Sequence, residues 1–142
     1  MARILAIDFG KKKCGLAVTD SLKIIANGLD TIETPKLLDF LAKYIEKEPV
    51  EMFIMGKATR FSGEDSEVMP LAREFVVKLE NKFPSIPVTW VDERFTSKIA
   101  FQTMIDSGLK KKDRKDKNLV DKISATIILQ SYLEQIRNIL ER

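Results

Sequence analysis

The stretch "ARILAIDFGKKKCGLAVTD", residues 2–20, decides how the rest of the chain is read. Ile4, Leu5, Ala6 and Ile7 are apolar without alternation, the pattern of a strand covered on both faces in the middle of a sheet. Asp8 continues that strand on the face of Ile4 and Ala6. An unpaired carboxylate in such a place costs several kcal/mol or takes up a proton. A carboxylate there therefore points to a ligand. The strand is expected over 3–9. "GKKK" follows as a tight basic turn, with Gly10 expected to supply unusual backbone angles. "CGLAVTD", 14–20, returns as the second strand of a hairpin.

Working outward, "KIIANGLDTIE", 23–33, reads as a third strand with a glycine-containing irregularity. Thr34 as N-cap and Pro35 at the first helical position open an amphipathic helix, with Leu37, Leu38, Leu41, Tyr44 and Ile45 at helical spacing. "EMFIMG", 51–56, is a short buried strand, and "KATRFSGEDSE", 57–67, a polar loop. A second helix lies within 68–83, with Leu71, Phe75, Val76 and Leu79 facing inward. "IPVTWVDER", 86–94, is a fifth strand, with Trp90 in the core. A third helix over 96–109, a charged loop over 110–118 and a long final helix from 119 complete the pass. Three hairpin-linked strands followed by alternating helix and strand predict an α/β fold. Its mixed five-stranded sheet has strands 1–3 antiparallel and 4–5 parallel, in one domain spanning 1–142.

Composition narrows the chemistry. Lys plus Arg is 24 and Asp plus Glu 21, a net charge of +3. That excess is mild, so the placement of the charge matters more than its sum. No run of about 18 apolar residues predicts a membrane span. Met1 leads directly into a strand, so no signal peptide is expected. A single cysteine, Cys14, allows no internal disulfide, fits a reducing cytoplasm and reads as a small buried residue. The sequence contains no histidine. That excludes Ser-His-Asp and Cys-His catalysis and every His-ligated metal. The remaining chemistry runs on carboxylates, Lys, Arg, hydroxyls and backbone. A metal would be a hard, oxygen-seeking ion such as Mg²⁺ or Mn²⁺.

Asp92 and Glu93 end the fifth strand on opposite faces, so only one of them can approach Asp8. Residues 121, 124, 125 and 128 share one helical face, which reads Asp, Ser, Ala, Ile. Singly, a strand-end acid is a solvated charge and Asp121 a helix N-terminal charge. Together, three acids from three elements would repel one another at close range, and a divalent cation relieves that. Lys11, Lys12 and Lys13 sit beside Asp8 at a hairpin tip, placed to grip a phosphate backbone. "KKKDRKDK", 110–117, carries six basic and two acidic residues. Its Lys110, Lys111, Lys112, Arg114 and Lys115 are candidates for a clamp on nucleic acid. Arg94 and Arg60 are further candidate phosphate contacts.

"ILAIDFGKKKCGLAVTD", "VDERFTS" and "VDKISATIILQSYLE" resemble the three signature blocks of the YqgF/RuvX family. The resemblance runs over nearly the whole chain and keeps the order and spacing of the blocks. It implies a ribonuclease H-like fold. It also implies Asp8, Glu93 and Asp121 as catalytic acids and metal ligands; the choice of Glu93 over Asp92 comes from the resemblance alone. The family has been described as candidate Holliday-junction resolvases and is now usually assigned to processing the 5′ end of pre-16S rRNA. The expected chemistry is phosphodiester hydrolysis with two Mg²⁺ about 3.5–4 Å apart. Asp8 would bridge them, with Glu93 and Asp121 holding one ion each. One departure stands out: Lys57-Ala58 replaces the usual Leu-Pro between Gly56 and Gly63, which bears on substrate preference. The expected function is a cytoplasmic metal-dependent nuclease acting on pre-rRNA. The alternatives are a resolvase of branched DNA and a non-catalytic nucleic-acid-binding module, which would need the basic loops but none of the acids.

Overall fold

The computed structural model describes residues 2–20, 26–57, 68–92, 125–134 and 136. Strands β1 (Arg3–Asp8), β2 (Lys13–Thr19), β3 (Ala26–Glu33), β4 (Val50–Lys57) and β5 (Val88–Asp92) form one sheet in the order β3-β2-β1-β4-β5. β1 and β2 pair antiparallel, as do β2 and β3, while β4 runs parallel to β1 and β5 parallel to β4. This is the expected mixed sheet, and β1 lies at its centre.

The central place of β1 follows from its lack of alternation. Leu5 and Ile7 enter a core with Leu37 and Leu41 of helix α1 (Leu37–Lys47) and Phe75 and Leu79 of helix α2 (Met69–Lys82). Ile4 and Ala6 enter a second core with Ala125, Ile128, Leu129 and Leu133 of the helical segment 125–134. Each fully buried aliphatic side chain contributes about 1.5–3 kcal/mol. A strand apolar on both faces recovers that gain from two layers. The Tyr132 hydroxyl contacts Met52 Sδ at 3.3 Å, tying the segment 125–134 to the beginning of β4. Trp90 is half-buried against the α1–α2 core, and Cys14 is wholly buried, both as expected.

The irregularity expected in the third strand is present. Leu16 pairs with Asp30 but Ala17 with Gly28, so the register slips by one residue at Leu29. Such a bulge bends and twists a strand.

Three expectations are corrected. Thr34 is not a helix N-cap: Thr34–Lys36 form a 3₁₀ turn, α1 begins at Leu37, and no side chain caps either element. Leu71 does not face inward. It is 39% exposed, and the inner face of α2 is Met69, Ala72, Phe75, Val76 and Leu79. Gly10 does not adopt a left-handed φ; it is required by a close approach instead, described below. The third helix, the charged loop and the start of the final helix lie outside the described residues.

Candidate active site

Asp8 is the last residue of β1 and pairs with Gly15 of β2. The parallel strands β1, β4 and β5 end on the same edge of the sheet: Ile7 lies level with Met55, and Met55 with Trp90. Ligands of open α/β sheets bind outside the carboxyl ends of such strands. Strand alternation gives Asp8 the face of Ile4 and Ala6, the face covered by the segment 125–134. Its side chain is half-buried. Asp8, Lys11, Lys12 and Lys13 line one open hollow together with Phe9, Gly10 and Val68. The structure thus brings together the first candidate acid and the three candidate lysines at the hairpin tip. Among the described residues Asp8 is the one acidic side chain in that hollow.

The turn between β1 and β2 is held by contacts, not by an unusual glycine conformation. A Cβ on Gly10 would run into the Lys13 carbonyl oxygen, a backbone atom that cannot step aside. The Thr34 hydroxyl donates to the Gly10 carbonyl at 2.7 Å, and the Thr34 backbone N–H donates to the Lys12 carbonyl at 2.8 Å. Cys14 Sγ lies 3.4 Å from Thr34 Oγ1 and 3.8 Å from the Gly10 oxygen. One residue therefore fastens both ends of the lysine turn. Sequence reading missed this role because Thr before Pro is the pattern of a helix start. The signal available was register: Lys13 pairs with Glu33, which brings the next residue, Thr34, beside Lys12.

Lys11, Lys12 and Lys13 are exposed around a half-buried carboxylate. Three ammonium groups on one rim attract a polyanion and shorten its search for the site. The Asp8 carboxylate offers hard oxygen donors, the type that Mg²⁺ and Mn²⁺ prefer. Arg60, Glu93, Arg94, Lys110, Lys111, Lys112, Arg114, Lys115 and Asp121 lie outside the described residues.

Comparison with known proteins adds a family and a fold. Among solved structures, the fowlpox virus resolvase, determined with Holliday junction DNA, aligns with a TM-score of 0.59 at 14% identity, over 94% of this chain and 98% of its own. The RuvC protein of T. thermophilus, also determined with a Holliday junction substrate, aligns at 0.58 and 14%, over 95% and 96%. At that identity the likeness is one of fold, and the fold is ribonuclease H-like. Sequence relatives are far nearer. A candidate pre-16S rRNA nuclease of Phocaeicola vulgatus is 62% identical over 134 residues, 94% of this chain and 96% of that protein. Its counterpart in Porphyromonas gingivalis is 58% identical, over 94% and 97%. The model of the RuvX family, described as Holliday junction resolvase, matches residues 2–135, and the chain belongs to that family.

Proposed function

We propose that this chain is a divalent-cation-dependent nuclease that processes the 5′ end of pre-16S rRNA, with Asp8, Glu93 and Asp121 as its catalytic acids. The observation that carries the reading is the Asp8 carboxylate, which ends the central strand and lines a hollow with Lys11, Lys12 and Lys13. The names of two close relatives suggest the substrate.

Two features of the fold support the other acids. On β5, Val91 packs in the core of Ile4 and Ala6, while Trp90 packs in the opposite core. A strand that continued past Asp92 would give position 93 the face of Val91, which is the face of Asp8. On the helical segment, Tyr132 is tied to Met52 at the beginning of β4, and Ala125 is wholly buried in the same core. The seven residue steps from Ala125 to Tyr132 span about 10 Å of helix over that core. A helix that reached back to Asp121 would give it the face of Ala125.

Carboxylates suit a hard cation, and Asp8, Glu93 and Asp121 would hold Mg²⁺ or Mn²⁺. When bound, such an ion supplies charge stabilisation at a phosphoryl group and a more acidic water. The chain's own residues do the rest. Asp8 would hold the ion from the end of a strand, a more precise support than a loop. Lys11, Lys12 and Lys13 hold the phosphates on either side of the reacting one. Thr34 fastens that lysine turn through Gly10 and Lys12. Arg60, Arg94, Lys110, Lys111, Lys112, Arg114 and Lys115 extend the phosphate contacts. A cytoplasmic site of action fits an rRNA precursor. Among the described residues no helix is long and apolar enough to cross a membrane.

The family description favours a second reading, a resolvase of four-way DNA junctions. One experiment separates the two. Purified protein and Asp8→Asn are incubated with pre-16S rRNA fragments and with four-way junctions, in Mg²⁺ and in EDTA. The proposal expects cleavage of the RNA in Mg²⁺ only, lost in Asp8→Asn. Junction cleavage alone installs the resolvase reading, and an active Asp8→Asn refutes the site.

A further inference from the structure

A second hollow, of about 250 Å³, opens beside the first and shares Phe9 and Lys11 with it. Leu38 of α1 and Leu71 and Phe75 of α2 line it with apolar surface. Phe75 is braced by Phe9, their ring centroids 5.3 Å apart. Leu71 is one of only two large apolar side chains so exposed among the described residues, and it lies in this hollow. Lys11 and Lys78 stand at its rim with Glu74.

We propose that this hollow receives one unpaired nucleobase of the substrate strand, while Lys11 and Lys78 contact its flanking phosphates. The proposal rests on the nuclease reading and adds a subsite to it. Its occupant follows from three features. The apolar lining and the Glu74 carboxylate reject a bare phosphate but suit a base, whose flat faces are apolar and whose edge carries N–H donors. The two lysines match the charge of the backbone to either side. Continuity through Lys11 places the hollow next to the phosphates held at Asp8. An apolar peptide side chain would fit the lining, but it would make no use of that continuity.

The test is binding, measured in EDTA so that no cleavage intervenes. A short single-stranded RNA is compared with a set in which one base at a time is removed, leaving the sugar and phosphate. Wild type and Leu71→Gln are titrated with each; Leu71 is exposed, so the substitution spares the core. One position is expected at which base removal weakens wild-type binding about fivefold or more. At that position Leu71→Gln, already weakened, loses nothing further. Lys78→Ala should lower the slope of log affinity against log salt by about 0.7. Equal losses in wild type and Leu71→Gln at every position overturn the subsite, return the hollow to a protein partner, and leave the nuclease reading standing. A wild type that binds none of the strands overturns both.

Discussion

Replacing Thr34 by valine tests how the lysine turn is held. Valine keeps the shape and the backbone N–H that donates to the Lys12 carbonyl. It removes the hydroxyl that donates to the Gly10 carbonyl at 2.7 Å and meets Cys14 Sγ at 3.4 Å. A lost intramolecular hydrogen bond costs about 0.5–1.5 kcal/mol, and a stranded buried acceptor about 1–3 kcal/mol. Gly10 is half-buried, so water relieves part of the second penalty, and the expected loss is about 1–2 kcal/mol. For a chain of this size that lowers Tm by about 3–6 °C. The loss is local, so amide exchange should quicken at residues 10–13 more than in the middle of β1. Thr34→Ser keeps the hydroxyl and should restore slow exchange. Urea melts, thermal melts and site-resolved exchange measure all three quantities. Unchanged stability and unchanged exchange at 10–13 in Thr34→Val would refute the latch.

Gly10→Ala should destabilise by about 1–3 kcal/mol, as overpacking against fixed atoms does, because the new methyl meets the Lys13 carbonyl; a neutral result in a urea melt would contradict the close approach. Replacing Lys11, Lys12 and Lys13 together by alanine should weaken RNA binding at every sequence and lower the salt slope by about 2; a slope equal to wild type would mean that these side chains contact no phosphate. Burial pushes the Tyr44 phenol above its ordinary value of 10.0, with Arg3 opposing the shift and Glu48 adding to it. A raised folded pKa means stability that is present below pH 10 and is lost as pH climbs through the folded value. Tyr44→Phe should therefore flatten the alkaline fall in stability, and identical pH profiles for the two proteins would count against that cause.

The sheet was legible in the residues because its signal is local. Ile4 to Ile7 carry no alternation, and a strand without alternation has one stable place, between two layers. The amphipathic spacing of α1, the glycine irregularity near Gly28 and the burial of Cys14 were readable for the same reason. Each depends on neighbours within a few positions. Leu71 does not face inward because α2 offers more apolar residues than its inner face can use, and packing on the sheet, with Phe75 against Phe9, selects among them.

What tertiary structure alone decided lies at the junction of β1, β2 and the 3₁₀ turn. The sequence marks Thr34-Pro35 as a helix start, a pattern judged from contiguous residues. The fold instead sets Thr34 beside Gly10, 24 residues away in the chain, and spends its hydroxyl on the Gly10 carbonyl. Gly10 likewise looked like a matter of backbone angle and proved to be one of space, set by the carbonyl of Lys13. Asp8 and the absence of histidine point to carboxylate chemistry already in the sequence, because residue type limits what a side chain can do. The placement of Asp8 was not legible there, because strand order and register bring Asp8, Lys11 and Thr34 together, and those are properties of the whole sheet.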